Sequence, residues 1–189
     1  MPAASQRDEL IRIVVEQGLT SFDEPVRLAS GAMSRDFIDA KRALAQGSDL
    51  RVACAAIVEL AATMGIAFDA CGGMTMGADM FAHGVALEAD CGWFVVRKAP
   101  KDRGTRQQIE GSVLGSGTRV LMVEDTITTG GSTLTALEVV RATGAEVVLV
   151  TALVDRGDTA TPAFAAAGVP YAPLLTWRDI GIDPVVPPA

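Results

Sequence analysis

The sequence contains few of the residues that build disulfide frameworks or metal centres: three cysteines and one histidine in 189 residues. Cys54, Cys71 and Cys91 form no Cys-x-x-Cys pair and show no metal-ligand spacing. We therefore expect reduced, buried thiols of the kind found in cytosolic proteins. The histidine, His83, lies inside a helix predicted from Ala78 to Glu88, and we interpret it as a structural residue rather than a general base.

The sequence also lacks a long apolar run and an excess of positive charge. No apolar stretch reaches the roughly 20 residues that span a membrane, and residues 1–10 carry charges where a secretory signal would have its apolar segment. The chain has 16 Lys and Arg against 23 Asp and Glu, a formal net charge of -7. We therefore expect a soluble, cytoplasmic protein that binds neither nucleic acid nor membranes.

Apolar residues make up 49% of the chain, enough for one globular domain over residues 1–189. Predicted strands and helices alternate along it, and candidate functional turns follow the strands that end at Cys71, Val96, Val123 and Val154. This alternation predicts an α/β fold with a mainly parallel central sheet covered by helices on both faces. In such folds the functional site lies at the carboxyl ends of the strands.

The most informative segment begins with an apolar run, Val120 to Val123, of the kind that forms a buried parallel strand. Glu124 and Asp125 follow at once. After them comes a turn rich in hydroxyl groups and glycines, and then a helix predicted from Thr133 to Thr143. The segment therefore combines a strand, an acid pair, an anion-binding turn and a helix.

The turn suits a phosphate monoester. Gly130 and Gly131 let the backbone approach a ligand closely, and the free N–H groups at the start of a helix favour an anion. No lysine follows the glycines, so the turn is not the nucleoside triphosphate loop. The side chains left to bind the phosphate are the hydroxyls of Thr126, Thr128, Thr129 and Ser132.

The acid pair indicates what the phosphate is attached to. Two carboxylates beside a phosphate would repel it, whereas a sugar between them would donate hydrogen bonds from its hydroxyls to the carboxylates. The same negative charge favours a sugar ring that becomes cationic in its transition state. The segment therefore indicates a ribose 5-phosphate.

The letters VLMVEDTITTGGS resemble the 5-phosphoribosyl 1-pyrophosphate (PRPP) signature of the type I phosphoribosyltransferases. The resemblance implies the type I phosphoribosyltransferase fold, with a small N-terminal hood at about residues 19–45. It also implies that Asp125 is catalytic. The PRPP-binding residues that it implies are Glu124, Asp125, Thr126, Ile127, Thr128, Thr129, Gly130, Gly131 and Ser132.

A basic cluster follows the strand predicted from Gly92 to Val96. Arg97, Lys98, Lys101 and Arg103 lie within seven residues, a quarter of the chain's 16 cations. Their mutual repulsion and an intervening proline disfavour a helix, so we expect a loop that is mobile until an anion neutralises it. A solvated run of charge is the alternative, although the chain is acidic overall.

The cluster, together with Ile109-Glu110-Gly111, resembles the RKxxKxHG…IxG catalytic loop of orotate phosphoribosyltransferases. The resemblance implies a loop that closes over the active site of a neighbouring subunit, and hence a homodimer. Arg97, Lys98 and Lys101 would contact substrate, and Lys101 and Arg103 would act in catalysis. Arg103 departs from the family, which has histidine there; an arginine stabilises anionic charge but cannot donate a proton near neutral pH.

A second glycine-rich segment follows a strand predicted from Ile66 to Cys71. Its letters GGMTMGAD, Gly72 to Asp79, predict a strand-to-helix turn whose N–H groups suit a larger anion such as pyrophosphate. The segment resembles the pyrophosphate loop of actinobacterial-type orotate phosphoribosyltransferases. On that resemblance Gly73 and Met74 would bind substrate.

Two further segments resemble the base-binding parts of the same family. The SGxxS…(F/Y)x(D/N) pattern of the hood implies that Phe37 and Ile38 line the base pocket, although Ala29 and Asp36 depart from the pattern and a plain hairpin is the alternative. Arg156 follows a predicted strand and resembles the contact to the orotate carboxylate, for which its planar fork is suited.

For Arg156 the alternative is a surface arginine paired with Asp155 or Asp158.

The other segments are predicted as scaffold: helices at Ser5–Gln17, at Asp49–Met64 with Ser48 as cap and at Thr159–Ala167, strands at Ala145–Val154 and Tyr171–Leu175, and a frayed tail at Val185–Ala189.

The resemblance as a whole implies an orotate phosphoribosyltransferase that converts orotate and PRPP into orotidine 5-monophosphate and pyrophosphate, a step of pyrimidine (UMP) biosynthesis. Magnesium would be carried by oxygens of PRPP rather than by protein ligands. Two alternatives stay open. One is a phosphoribosyltransferase for another base, motivated by Ala29, Asp36 and Arg103, and the other is a catalytically weak regulator that binds PRPP.

Overall fold

The computed structural model describes residues 4–28, 31–99 and 107–186. Its helices are α1 (Ala4–Ile13), which continues into a π-helical segment (Val14–Gly18), α2 (Ala40–Ala43), α3 (Gly47–Thr63), α4 (Asp79–Ala89), α5 (Gly131–Arg141) and α6 (Ala160–Ala166). Its strands are β1 (Leu19–Arg27), β2 (Met33–Ile38), β3 (Ala70–Met74), β4 (Gly92–Val96), β5 (Ile109–Gly111), β6 (Arg119–Ile127), β7 (Glu146–Asp155) and β8 (Leu175–Thr176). None of the helices in these ranges is long and apolar enough to cross a membrane.

A six-stranded sheet in the order β5-β4-β3-β6-β7-β8 forms the centre of the molecule. β3 pairs in parallel with β4 and β6, β7 pairs in parallel with β6 and β8, and β5 runs antiparallel to β4. The predicted mainly parallel sheet is confirmed.

The central strand β6 separates two apolar layers. Leu121 lies in the layer that contains Ile57 of α3 and Phe81 of α4. Met122, the next residue, points to the opposite face and lies in the layer that contains Leu137 of α5. Both faces of the strand are buried, which explains why its sequence is a continuous apolar run.

β6 is longer than predicted. The prediction ended the strand at Val123, but the pairing with β7 continues through Glu124 to Ile127. The acid pair therefore lies inside the last part of the strand, where the pairing fixes its backbone.

The prediction of a strand from Ile66 to Cys71 followed by a glycine turn is wrong. Gly72 and Gly73 lie inside β3, which reaches Met74. A Cβ at Gly72 would overlap the carbonyl oxygen of Phe94, and one at Gly73 would overlap that of Val123. The two glycines are therefore required by close strand packing rather than by a turn.

A separate hairpin precedes the sheet. β1 and β2 pair antiparallel and α2 follows them. Asp39 caps α2, because its Oδ1 accepts a hydrogen bond from the backbone N–H of Arg42 at 3.0 Å.

Two scaffold predictions need correction. α3 begins at Gly47 with Gln46 at its cap position, so Ser48 lies within the helix and does not cap it. The predicted strand at Tyr171–Leu175 is reduced to a single bridge between Val150 and Tyr171 and to the two-residue β8, since a proline within it has no N–H to donate.

The tail predicted to fray is held at its start. Val185 is 3% exposed, and its N–H donates a hydrogen bond to the carbonyl oxygen of Arg156 at 2.7 Å. Residues 187–189 lie outside the described ranges.

Candidate active site

A cavity of about 740 Å³ opens where β3 and β6 end and α5 begins. Its lining includes residues of the hairpin and α2, of the segment after β3, and of the turn after β6. The residues predicted from sequence that line it are Phe37, Ile38, Met74, Lys98, Glu124, Asp125, Thr126, Ile127, Thr128, Thr129, Gly130, Gly131, Ser132 and Arg156.

The turn between β6 and α5 has the geometry of an anion site. Gly130 is the residue before the helix and has a φ of 79°, a conformation that glycine adopts without strain. A Cβ there would also lie 3.0 Å from the ring of Phe164. The carbonyl of Thr128 accepts a hydrogen bond from Thr159 Oγ1 at 2.7 Å, which fixes the turn from its outer side. The first N–H groups of α5 have no acceptor within the helix and point towards its start.

Several hydroxyl groups of this turn are available to a ligand. Among the described residues, the hydroxyls of Thr126, Thr128 and Ser132 have no hydrogen-bond partner, and all three residues line the cavity. Hydroxyls and backbone N–H groups together suit a phosphate.

Within the acid pair, Glu124 is the buried member and Asp125 is only partly buried. Glu124 is 6% exposed, and it accepts hydrogen bonds from Thr133 Oγ1 at 3.4 Å and from the N–H of Asp125 at 3.2 Å. Burial, and after it the charge of Asp125, raise the pKa of Glu124 to about 8. Glu124 therefore holds its proton through most of the neutral range, and the pair carries about one negative charge rather than two.

Arg156 lies beneath the hairpin at the end of β7. It is 4% exposed, and its Nη2 donates hydrogen bonds to the backbone oxygen of Asp36 at 2.6 Å and to Ser34 Oγ at 3.4 Å. Its Nε is buried and has no partner among the described residues. The alternative of a surface arginine paired with Asp155 or Asp158 is wrong, because the side chain is buried and bonds to the hairpin.

Comparison with known proteins agrees with this geometry. The family model described as "Phosphoribosyl transferase domain" matches residues 50–165. The orotate phosphoribosyltransferase of Pyrococcus furiosus is 39% identical over 174 residues, which cover 92% of this chain and 94% of that protein. That of Corynebacterium glutamicum is 40% identical over 182 residues, covering 95% and 96%. The chain belongs to the orotate phosphoribosyltransferase family.

A solved structure from this family has the same fold. The orotate phosphoribosyltransferase of Mycobacterium tuberculosis H37Rv, crystallised in complex with PRPP, is 34% identical and has a TM-score of 0.76. The match covers 94% of this chain and 99% of that one. The predicted type I phosphoribosyltransferase fold is thereby confirmed.

Asp36, which departs from the orotate phosphoribosyltransferase pattern, does not bring a carboxylate into the main cavity. Its Oδ1 accepts a hydrogen bond from Ser21 Oγ across the hairpin at 2.6 Å. Phe37 and Ile38 line the cavity instead, and Phe37 is 44% exposed. The apolar face expected for a base pocket is therefore retained.

The turn after β3 begins beyond Met74, later in the chain than predicted. Thr75, Met76 and Gly77 line the cavity together with Met74, whereas Gly73 does not. Thr75 Oγ1 donates a hydrogen bond to Asp79 Oδ1 at 2.9 Å, and the peptide between Thr75 and Met76 is cis. Because glycines are typical of turns, Gly72 and Gly73 led to a turn being predicted where the structure has the end of β3.

Lys41 was missed. It lines the cavity, and its Nζ lies 3.0 Å from Asp125 Oδ2. The hydrogen bond to Asp125 raises the pKa of Lys41. No sequence signal joins two residues 84 positions apart; the contact exists because α2 returns the chain to the end of β6.

The basic loop of the orotate phosphoribosyltransferase pattern is described only at its start. Lys98 is exposed at the cavity, whereas Arg97 does not line it and has its Nη1 3.8 Å from Glu110 Oε1. Lys101 and Arg103 lie outside the described residues.

The remaining candidates belong to the scaffold. His83 packs edge-on against Trp93, with ring centroids 4.5 Å apart, and does not line the cavity. Cys54 and Cys71 are buried as expected, and burial raises the pKa of Cys54 to about 12, whereas Cys91 is only half-buried, against the prediction. Within the described ranges, no group of three or more His, Cys, Asp or Glu side chains could hold a metal ion.

Proposed function

We propose that this protein transfers the 5-phosphoribosyl group of PRPP to orotate, giving orotidine 5-monophosphate and pyrophosphate in pyrimidine biosynthesis. The observation that carries the proposal is the convergence on one cavity of the hydroxyl-lined turn, the acid pair and the buried Arg156. The PRPP complex of the M. tuberculosis relative supports PRPP as one of the two substrates.

PRPP is proposed to bind at the end of β6. Its 5-phosphate accepts hydrogen bonds from the first N–H groups of α5 and from the hydroxyls of Thr126, Thr128 and Ser132. Its ribose hydroxyls donate to Asp125, while a protonated Glu124 donates a hydrogen bond of its own. A pair that carries about one charge repels the phosphate less than two carboxylates would.

Orotate is proposed to bind between the hairpin and Arg156. The unpartnered Nε of Arg156 is a buried donor, and a buried donor without an acceptor costs free energy until a ligand supplies one. The orotate carboxylate is such an acceptor, and Phe37 provides an aromatic face against the pyrimidine ring.

In the reaction, the bond from the ribose C1 to the pyrophosphate oxygen breaks, a bond from C1 to a ring nitrogen of orotate forms, and the proton on that nitrogen is released to the departing pyrophosphate or to water. Asp125 is proposed to stabilise positive charge on the ribose ring. The backbone of the turn from Thr75 to Gly77 and the exposed Lys98 line the same cavity and are proposed to bind the leaving pyrophosphate.

Magnesium and the basic loop complete the proposal. Magnesium carried by the oxygens of PRPP would supply positive charge at the leaving group and would need few protein ligands of its own. Arg97, Lys101 and Arg103 are proposed to neutralise the pyrophosphate when the loop from the partner subunit of a homodimer closes and excludes water. We propose the cytoplasm as the site of this reaction.

A panel of bases tests the proposal. The purified protein is mixed with PRPP and magnesium and then with orotate, uracil, adenine or hypoxanthine, and pyrophosphate release is measured. We expect rapid release with orotate alone among the four. Release only with a purine would show another base as substrate, and PRPP binding without release for any base would show a regulator.

A further inference from the structure

Lys41 and Asp125 form an ion pair across the mouth of the cavity. Lys41 lies on α2 and Asp125 near the end of β6, and their Nζ and Oδ2 atoms are 3.0 Å apart. The Lys41 side chain is 53% exposed and that of Asp125 is 18% exposed, so the pair faces the space where a ligand would bind. Lys41 therefore places one positive charge against the acid pair, in direct contact with Asp125.

The short helix that carries Lys41 is fixed in place. Ala40 and Ala43 are 1% and 0% exposed and anchor α2 in the apolar layer. Asp39 caps the helix at the N–H of Arg42, and Arg42 Nε donates a hydrogen bond to the carbonyl oxygen of Gln17. The ammonium group of Lys41 is thereby presented to Asp125 by a rigid support.

We infer that Lys41 is a positioning residue for PRPP: its ammonium group orients the Asp125 carboxylate and compensates the negative charge of the acid pair, so that a polyanionic sugar phosphate can approach. The inference rests on the proposed function, because it concerns the same cavity. It adds a residue that lies outside the PRPP signature.

Lys41 has two opposite effects on PRPP binding. Lys41 competes with the ribose for Asp125, since it occupies one lone pair of Oδ2. A carboxylate offers about four lone-pair sites, and the Asp125 side chain uses Oδ1 for the N–H of Thr126 and Oδ2 for Lys41. Sites therefore remain for the sugar hydroxyls. Without Lys41, an uncompensated carboxylate would face a ligand that carries a phosphate and a pyrophosphate. Charge compensation outweighs competition.

The test compares Lys41→Met and Lys41→Arg with Arg51→Met, which removes the same charge from an exposed position of α3 away from the cavity. Affinity for magnesium-PRPP is measured by calorimetric titration, and KM for PRPP and kcat are measured with orotate. Lys41→Met should weaken PRPP binding by about fivefold or more and raise KM for PRPP more than it lowers kcat. Lys41→Arg should restore most of the affinity, and Arg51→Met should match the wild type.

Equal or tighter PRPP binding by Lys41→Met would overturn the inference, because Lys41 would then either not affect PRPP binding or compete with the ribose for Asp125. A loss that Lys41→Arg does not restore would also overturn it, since the positive charge would then not be the cause. The wild type separates this inference from the proposed function: PRPP binding without formation of orotidine 5-monophosphate would refute the function alone, and no PRPP binding would refute both.

Discussion

Arg156 Nη2 lies 2.6 Å from the backbone oxygen of Asp36, and this hydrogen bond ties the hairpin to the end of β7. On the other side of Phe37, Lys41 ties α2 to the end of β6 through Asp125. The apolar wall proposed for the base is thus held at two points by charged groups that also line the cavity.

Arg156→Lys should raise KM for orotate by at least about tenfold and leave PRPP affinity nearly unchanged. Lysine keeps the charge but loses the planar fork, so it cannot bond to the hairpin and to a ligand carboxylate in the same way. Steady-state kinetics with each substrate varied in turn measure the two effects. Arg178→Lys is the control, because the Arg178 side chain is 62% exposed and does not line the cavity. Equal losses for both substrates would contradict the proposed role of Arg156.

Glu124 should make the protein less stable as the pH rises towards 8. Its pKa is raised from 4.5 to about 8 in the folded state, so between these values the folded protein holds a proton that the unfolded chain has released. The free energy of unfolding therefore falls with rising pH in this window, by at most about 1.4 kcal/mol per pH unit. Urea unfolding at a series of pH values measures the slope.

Glu124→Gln should remove this contribution, because glutamine does not titrate. Glu138→Gln, at a side chain that is 73% exposed, should keep the wild-type slope. Identical slopes for the wild type and Glu124→Gln would show that Glu124 titrates normally.

Gly73→Ala should destabilise the protein by about 3 kcal/mol or more, because its Cβ would overlap the backbone of Val123 in the adjacent strand. Gly47→Ala is the matched control, since a Cβ there meets nothing within 4 Å. Thermal and urea unfolding measure both variants. A stable Gly73→Ala protein that fails only in PRPP binding would restore the original reading of Gly73 as a binding residue.

Lys101→Ala should lower kcat far more than PRPP affinity, since the loop is proposed to act on the leaving pyrophosphate during turnover.

A loop that is shared between the two subunits of a homodimer leads to a further prediction. Mixing inactive Lys101→Ala with inactive Asp125→Asn should recover about a quarter of wild-type activity, because hybrid dimers would contain one site with both residues intact. No recovery after confirmed subunit exchange would show that each loop serves its own subunit.

Much of the site could be predicted from sequence because its parts are local. Glu124, Asp125 and the turn up to Ser132 are adjacent in the chain, and a strand-turn-helix unit fixes their relation without distant contacts. Arg156 was found for a similar reason, since parallel strands bring their carboxyl ends to one edge.

The errors arise where one residue type serves two purposes or where the contact is distant. Gly72 and Gly73 are needed for close packing inside β3, and glycine in a sequence indicates a turn equally well. Lys41 meets Asp125 only through the packing of α2, and the raised pKa of Glu124 depends on burial that no local pattern reveals.

A crystal structure with orotate, PRPP and magnesium bound tests the central claim most directly. We predict the 5-phosphate against the turn from Thr126 to Ser132, the ribose hydroxyls at Glu124 and Asp125, and the orotate carboxylate at Arg156. A structure in which the turn is empty and PRPP binds elsewhere would contradict the account.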